Sequence, residues 1–554
     1  MTGFTEKFQR NVVPRWHDSR SAEFTVETRS LKERPPIFMP DTAEIRQELI
    51  DTGTLGVAVD ALNAAIVASD HEMAAMAAEI IHTRGAGLPN PIVTTARTVL
   101  GIGQSELPIH QPFIHVHQRR IRELRNLLSI YPRSPLIFLD LARHMVVVGQ
   151  PEKARRAIAG ALATGQGHRA ILRAAARFYI SIDEKERAYQ LIRDAPGTRF
   201  DPWLIAAEIA LGQVIGKSPA HWRAGKELLS RRPVAPIHLS ELATASATME
   251  MNSGNIKDAK RLFRLGILEP TENALAQVCW AEVRLGTHIA APGSSPFDGN
   301  QAFEAEFFRA YFRGDLSSAM ERGEQWFYSE PFSEVAISAA AHVAGLLDDY
   351  ESVEKFATFG LHGHRKQPNL RNNLIYARIS SGKVFEGSDT EVTSRISRIV
   401  TELRRYVDGN DSDGVHAMAN LGLLAFRIGQ PDDGRTIYER TIDIALKASL
   451  PQQAATAAVF FARESILARA PWANVAMERA RTLAKPFASN SSAPGLPFYL
   501  KKVEALAKNP DQEKYILSGQ SALEFSPIVK AVAPRLTVKR KADGGLIVWM
   551  PPKR

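Results

Sequence analysis

Residues 134–165, SPLIFLDLARHMVVVGQPEKARRAIAGALATG, hold apolar residues at intervals of three and four on both sides of Gly149. That spacing places them on one face of a helix, so the stretch predicts two amphipathic helices meeting at a glycine turn. Ala154 follows Gly149 by five residues, and Ala161 follows seven later. The next small residue of this kind, Ala188, comes 34 after Ala154, with Ala195 seven beyond it; Ala224 is 36 further on and Ala259 another 35. In the second half Gly314, Ala319 and Pro331 repeat the step of five and then a stop twelve later, and Val353 lies 34 past Ala319. Gly429-Gln430-Pro431, with Gly434 and Arg435, echoes Gly149-Gln150-Pro151, with Ala154 and Arg155, at a distance of 280 residues.

These residues resemble the tetratricopeptide-repeat family, whose unit is roughly 34 residues long. Phe138, Leu141 and Ala142 match its first helix, Gly149 its turn, and Ala154, Ile158 and Ala161 its second. The resemblance spans residues 113 to 484 and departs from the pattern at Val353 and Gly434. It implies an all-α solenoid of stacked helix pairs, with partners bound in a groove lined by the first helix of each pair.

Outward from that core, residues 1–40 read as an irregular arm, with Pro14, Pro35, Pro36 and Pro40. Residues 41–112 read as N-terminal helices, with Asp41 as N-cap and Glu44 completing a capping box. A first array is expected over 113–287, a linker or hinge at HIAAPGSSPFDGN (288–300), and a second array over 301–485. In the C-terminal segment, 486–554, RLTVKRK and GLIVWM flank Ala542-Asp543-Gly544-Gly545, which predicts a short basic β-hairpin at about 535–550.

The 554 residues are 45% hydrophobic and 23% charged, ordinary for a folded soluble chain, and no run approaches the ~20 apolar residues of a membrane span. The N-terminus lacks the apolar stretch of a secretory signal, and the single cysteine, Cys279, admits no intrachain disulfide. A cytoplasmic location is expected. Of the net charge of +9, six come from residues 530–554, where seven Lys or Arg face one acid, Asp543.

Catalytic chemistry finds little footing, and no enzyme activity or cofactor is expected. Gly216-Lys217-Ser218 resembles the end of a phosphate-binding loop, but a helix is expected to lead into it and Pro219 follows. His110, His115 and His117 form a candidate set in which His115 and His117, like His362 and His364, are two residues apart, a spacing that suits a metal only on an extended chain. Asp348 and Asp349 read as solvated acids at a helix start, and Cys279 as a buried thiol.

Counting from each turn places Arg143, Arg173 and Arg177 at groove-facing positions of successive units, with Asn373 and Asn420 at comparable positions later. Adjacent guanidiniums suit a carboxylate, a phosphate or an acidic peptide. The expectation is a non-enzymatic scaffold or regulatory subunit that binds a protein or peptide in the groove, with no membrane partner. The alternative is a subunit of a nucleic-acid-handling complex, contacting phosphates through Arg119, Arg120, Arg122 and Arg125 and through Lys539, Arg540 and Lys541.

Overall fold

Proline and left-handed turn residues set the helix boundaries. Helices Pro135–Val147, Pro151–Thr164, Pro202–Ile215, Pro236–Asn252, Pro368–Ser380, Pro431–Lys447 and Pro451–Leu467 all open on proline. The first helical turn has no use for the missing N–H, and the ring presets φ. At the turns between paired helices the backbone goes left-handed, at Gly149, Asp183, Gly314, Asp348, Gly382 and Gly429 among others. Gly149 and Asp183 are 34 residues apart, as are Gly314, Asp348 and Gly382. Ala154, Ala188, Ala259, Ala319 and Val353, all at 0% exposure, seat the second helices. Ala224 is only half-buried, and its neighbour Gly225 takes the close position: a Cβ there would lie 3.1 Å from Ile205 Cγ2.

The structure is a computed structural model describing residues 10–16, 42–68, 70–85, 90–100, 113–165, 167–231, 234–289, 302–407, 411–487, 495–510, 537–540 and 546–549. Among these residues there are 25 α-helices and two strands, so the chain is an all-helical solenoid of helix pairs. The strands, Thr537–Arg540 and Leu546–Trp549, pair antiparallel with Thr537 opposite Trp549. The Asp41 cap, His110, residues 290–300 and 488–494, the Ala542–Gly545 turn and Lys541 lie outside the described residues. No described helix is long and apolar enough to cross a membrane.

The chain divides into two compact units, residues 25–116 and residues 1–24 with 117–554. In the smaller unit, helices Thr42–Thr52, Leu55–Ala68, His71–Arg84 and Asn90–Val99 close on an alanine-rich core with Leu49, Leu62, Met73 and Ile81. Asp70 caps the third of these from its side chain and is gripped by Arg46 at 2.6 and 2.7 Å.

The larger unit has an inner and an outer kind of helix. Outer helices bury one stripe: in Pro151–Thr164 the buried residues are Ala154, Ala157, Ile158 and Ala161. Inner helices are buried all round, as Ser412–Arg427 is from Gly414 to Arg427, the mark of a helix packed on every side. Within this unit Leu275, Ala276 and Cys279 pack on Ala302 and Ala305, on either side of residues 290–301. Helices far apart along the chain also meet: at Gly149 a Cβ would lie 2.1 Å from His362 O, and at Gly363 one would lie 3.0 Å from Val146 O.

Two expectations follow for stability. Gly149 and Gly429 share a left-handed φ of +73° and +82°, but a Cβ at Gly429 meets nothing within 4 Å. Gly429→Ala is expected to cost about 1–2 kcal/mol from backbone strain alone, and Gly149→Ala about 1–3 kcal/mol more for displacing the His362 carbonyl, read as the difference between two denaturant midpoints. Burial pushes His117 and His342 down to about 4 and His416 down to about 3. Their folded-state values lie below the unfolded one, so as pH falls from 6.5 towards 4 only the unfolded chain takes up protons. Stability is full above pH 6.5 and is expected to fall by about 1.4 kcal/mol per pH unit for each such histidine, a slope that His416→Gln should reduce in urea titrations.

Candidate functional site

Helix Glu272–Leu285 presents Asn273 and Gln277 four residues apart, on one face. Both amides are buried and turn toward a segment from the other end of the chain, Arg10–Trp16, which carries neither helix nor strand. Asn273 donates to Val13 O at 3.0 Å and Gln277 to Arg10 O at 3.2 Å. Backbone carbonyls of a strap are thus read by side chains of the array.

The strap's side chains are bound more tightly still. All five N–H groups of Arg10 have acceptors: Nε and Nη2 on Glu304 at 2.8 and 3.0 Å, Nη1 on Asn11 O and Gln277, Nη2 also on Asn273 at 2.7 Å. Arg15 donates to Glu330 at 3.0 Å, to Glu272 at 3.5 Å, and through a second nitrogen to Glu304. Trp16, 1% exposed, enters between Phe178 and Phe332, with ring centroids at 6.0 and 5.2 Å. Val12 joins the cluster of Ile205, Ala206 and Ile209.

Charge pairing decides the ionisation of this interior. Burial alone would raise the Glu330 carboxyl, but Arg15, Arg177, the Trp326 indole N–H and Arg143 outweigh it and hold it below the usual range. For Glu272 burial prevails over Arg15 and the value rises. Burial works against Arg15, yet Glu330, Glu304 and Glu272 together raise it.

The structure brings three of the five groove residues named from spacing to this interior. Arg173, 1% exposed, donates to Glu241 at 2.6 Å and lies 4.7 Å from the Trp203 ring. Arg143 donates to Ser329 O at 2.6 Å, and both it and Arg177 lie over Phe332, at 5.7 and 5.6 Å. Asn373 and Asn420 are fully buried elsewhere, Asn420 donating to Asn372 O at 3.1 Å. Arg119, Arg122 and Arg125 are exposed on helix Phe113–Ile130, and Arg119 and Arg120 share Glu123. Lys539 and Arg540 belong to the strand Thr537–Arg540.

The other motifs resolve as follows. A helix, Pro202–Ile215, leads into Gly216, which ends it in a left-handed cap. His115 and His117 share a helix and so point apart; His117 Nδ1 lies 2.7 Å from His144 Nδ1, and His364 Nε2 lies 3.0 Å from Phe332 O. Among the described residues no group of three or more His, Cys, Asp or Glu is placed to hold a metal. Cys279 is buried, its thiol pushed up to about 12. Asp349 caps a helix by accepting from Ser352 N, but Asp348 is not a solvated acid: it accepts from Tyr350 at 3.0 Å, Tyr499 at 3.3 Å and Lys502. Sequence reasoning passed over Arg10, Arg15 and Trp16, which no repeat marks.

Removing Glu304 strands two guanidiniums in the interior. Glu304→Ala is expected to cost about 3–5 kcal/mol. Glu402→Ala, which breaks the partly exposed Arg371–Glu402 pair, is expected to cost about 1 kcal/mol or less. Equal shifts in the two urea midpoints count against a central role for Glu304.

No protein-family model matches the chain, and no curated protein does. Among solved structures the chain is similar to the human IFIT1 dimer with m7Gppp-AAAA, at 12% identity and a TM-score of 0.28, over 74% of this chain and 96% of that one. It is similar also to yeast Tom70, at 10% identity and a TM-score of 0.27, over 83% of this chain and 97% of that one.

Proposed function

We propose that the chain is a non-enzymatic protein-interaction scaffold that holds an extended segment of a protein or peptide inside its helical array. The observation that supports this reading is the strap itself: Asn273 and Gln277 hydrogen-bond its backbone while Glu304 and Glu330 take its arginines. Backbone hydrogen bonds give hold without sequence, and pockets for alternating side chains give selectivity. Arg143, Arg173 and Arg177 first suggested an acidic partner, but Arg173 is committed to Glu241 and the seated segment is basic and aromatic. The favoured partner is therefore an extended segment bearing arginines and a tryptophan.

A labelled peptide of residues 7–18 tests this, titrated into the full chain carrying Arg10→Ala, Arg15→Ala and Trp16→Ala. Saturable binding is expected, and its loss when Asn273→Leu is added. A peptide that never binds, or binds equally well with its two arginines changed to Glu, removes the support.

A second reading has its own observation: Arg119, Arg122 and Arg125 are exposed at three-residue intervals on one helix. That spacing presents cations to a phosphate backbone. If it operates, single-stranded RNA binds at low salt and weakens steeply as salt rises, and changing the three arginines to Gln flattens that slope.

A further inference from the structure

Beside the strap lies a cavity of about 130 Å³, lined among others by Arg10, Arg15, Arg177, Glu304, Glu330 and Ser333. At about 30 Å³ per water it has room for roughly four, more than the small polar gaps that single waters fill.

The charges around it do not cancel. Three arginines (Arg10, Arg15, Arg177) line it against two glutamates (Glu304, Glu330). Arg10 has no N–H left to give, and Arg15 is engaged with three carboxylates. Arg177 is placed differently. It makes one long hydrogen bond, 3.4 Å to Ser333 Oγ, and lies over the Phe332 ring. Among the described residues no carboxylate comes within 4.0 Å of its nitrogens. Its pKa is lowered, by burial first and also by Arg15 and Arg10, although Glu330 opposes this. A guanidinium does not deprotonate in a protein, so it stays charged beside that cavity.

We propose that this cavity binds a small free oxyanion, a carboxylate or a phosphate, seated on the guanidinium of Arg177. Two parallel N–H groups of that planar fork match two oxygens of either anion, and the Ser333 hydroxyl adds a neighbouring donor. Glu304 and Glu330 already face guanidiniums on the strap, so the anion meets a net positive wall. Arg10 and Arg15 line the same cavity from the strap side, so the bound anion ties the strap to the array. This site stands independently of the partner reading.

The test uses the full chain in a sulfonate buffer at constant ionic strength, titrated with inorganic phosphate and separately with acetate. Calorimetry is expected to give one saturable site for phosphate, acetate or both, the two arms showing which oxyanion it prefers, with a matching rise in Tm. Arg177→Gln should weaken binding at least about tenfold and, without added anion, should melt no lower than the unmutated chain, because it removes an uncompensated charge. Arg261→Gln, on an exposed helix face, should bind normally. No saturable site for either anion overturns the proposal, as does binding that survives Arg177→Gln, or a Tm rise that chloride reproduces without saturation. Should Arg177→Gln not fold, Arg177→Lys, which keeps the charge and loses the planar fork, decides: weakened anion binding supports the proposal, and unchanged binding overturns it.

Discussion

Glu304 receives Arg10 through two nitrogens and Arg15 through a third, and the centre of the larger unit depends on that carboxylate. Ionised groups lose their hydration on burial and regain it only through close, complete pairing. Glu304 is therefore tolerable inside a helical array only because two arginines from some 290 residues upstream reach it. The dependence is mutual. Without the array, Arg10 and Arg15 are two cations on an irregular segment, and without the strap, Glu304 loses both arginines while Asn273 and Gln277 lose the carbonyls they donate to.

That mutual dependence explains a departure from the expected groove. First helices lining an open channel carry a solvated face. Here they are buried all round, and the polar residues among them, Glu241, Asn273, Gln277, Asn420 and Glu464, are hydrogen-bonded to protein. In Arg427 and Glu464 the same logic recurs near the C-terminal end, where the pair closes at 2.8 and 3.0 Å. Polar side chains inside this solenoid specify which inner helix lies beside which.

The helix pairs were legible because packing writes a local signature: a small residue must sit five past the turn wherever two helices cross closely, and Ala154, Ala188 and Ala319 obey. Turns were half legible. Gly149, Gly314 and Gly429 announce themselves, but Asp183, Asp348 and Arg469 adopt the same left-handed backbone, and aspartate does so at modest cost. Pro331 was read as a stop and does follow a helix end, whereas seven other prolines start helices. The all-round burial of Ser412–Arg427 also had a sequence signal, since VHAMANLGLLAF has no charged stripe. The strap had none. Its hydrogen-bond and ion-pair partners on the helices lie 257 to 315 residues away, and a pairing at that distance leaves no periodicity to count.

Closure of the larger unit rests on two contacts of different kinds. At Gly149 and Gly363 two backbone turns meet so closely that a Cβ at Gly149 would lie 2.1 Å from His362 O and one at Gly363 would press on Val146 O, which fixes separation but says little about rotation. At the strap, Trp16 touches both Phe178 and Phe332, while Arg143 reaches Ser329 O and Arg177 reaches Ser333. Hydrogen bonds and ion pairs are directional, so this contact fixes orientation. Apolar helix faces alone pack in several neighbouring registers with little difference in energy, and a buried ionic cluster excludes each register that leaves a charge unpaired. A steric stop and a charge lock together leave one arrangement, and a segment that carries two arginines and a tryptophan is what selects it.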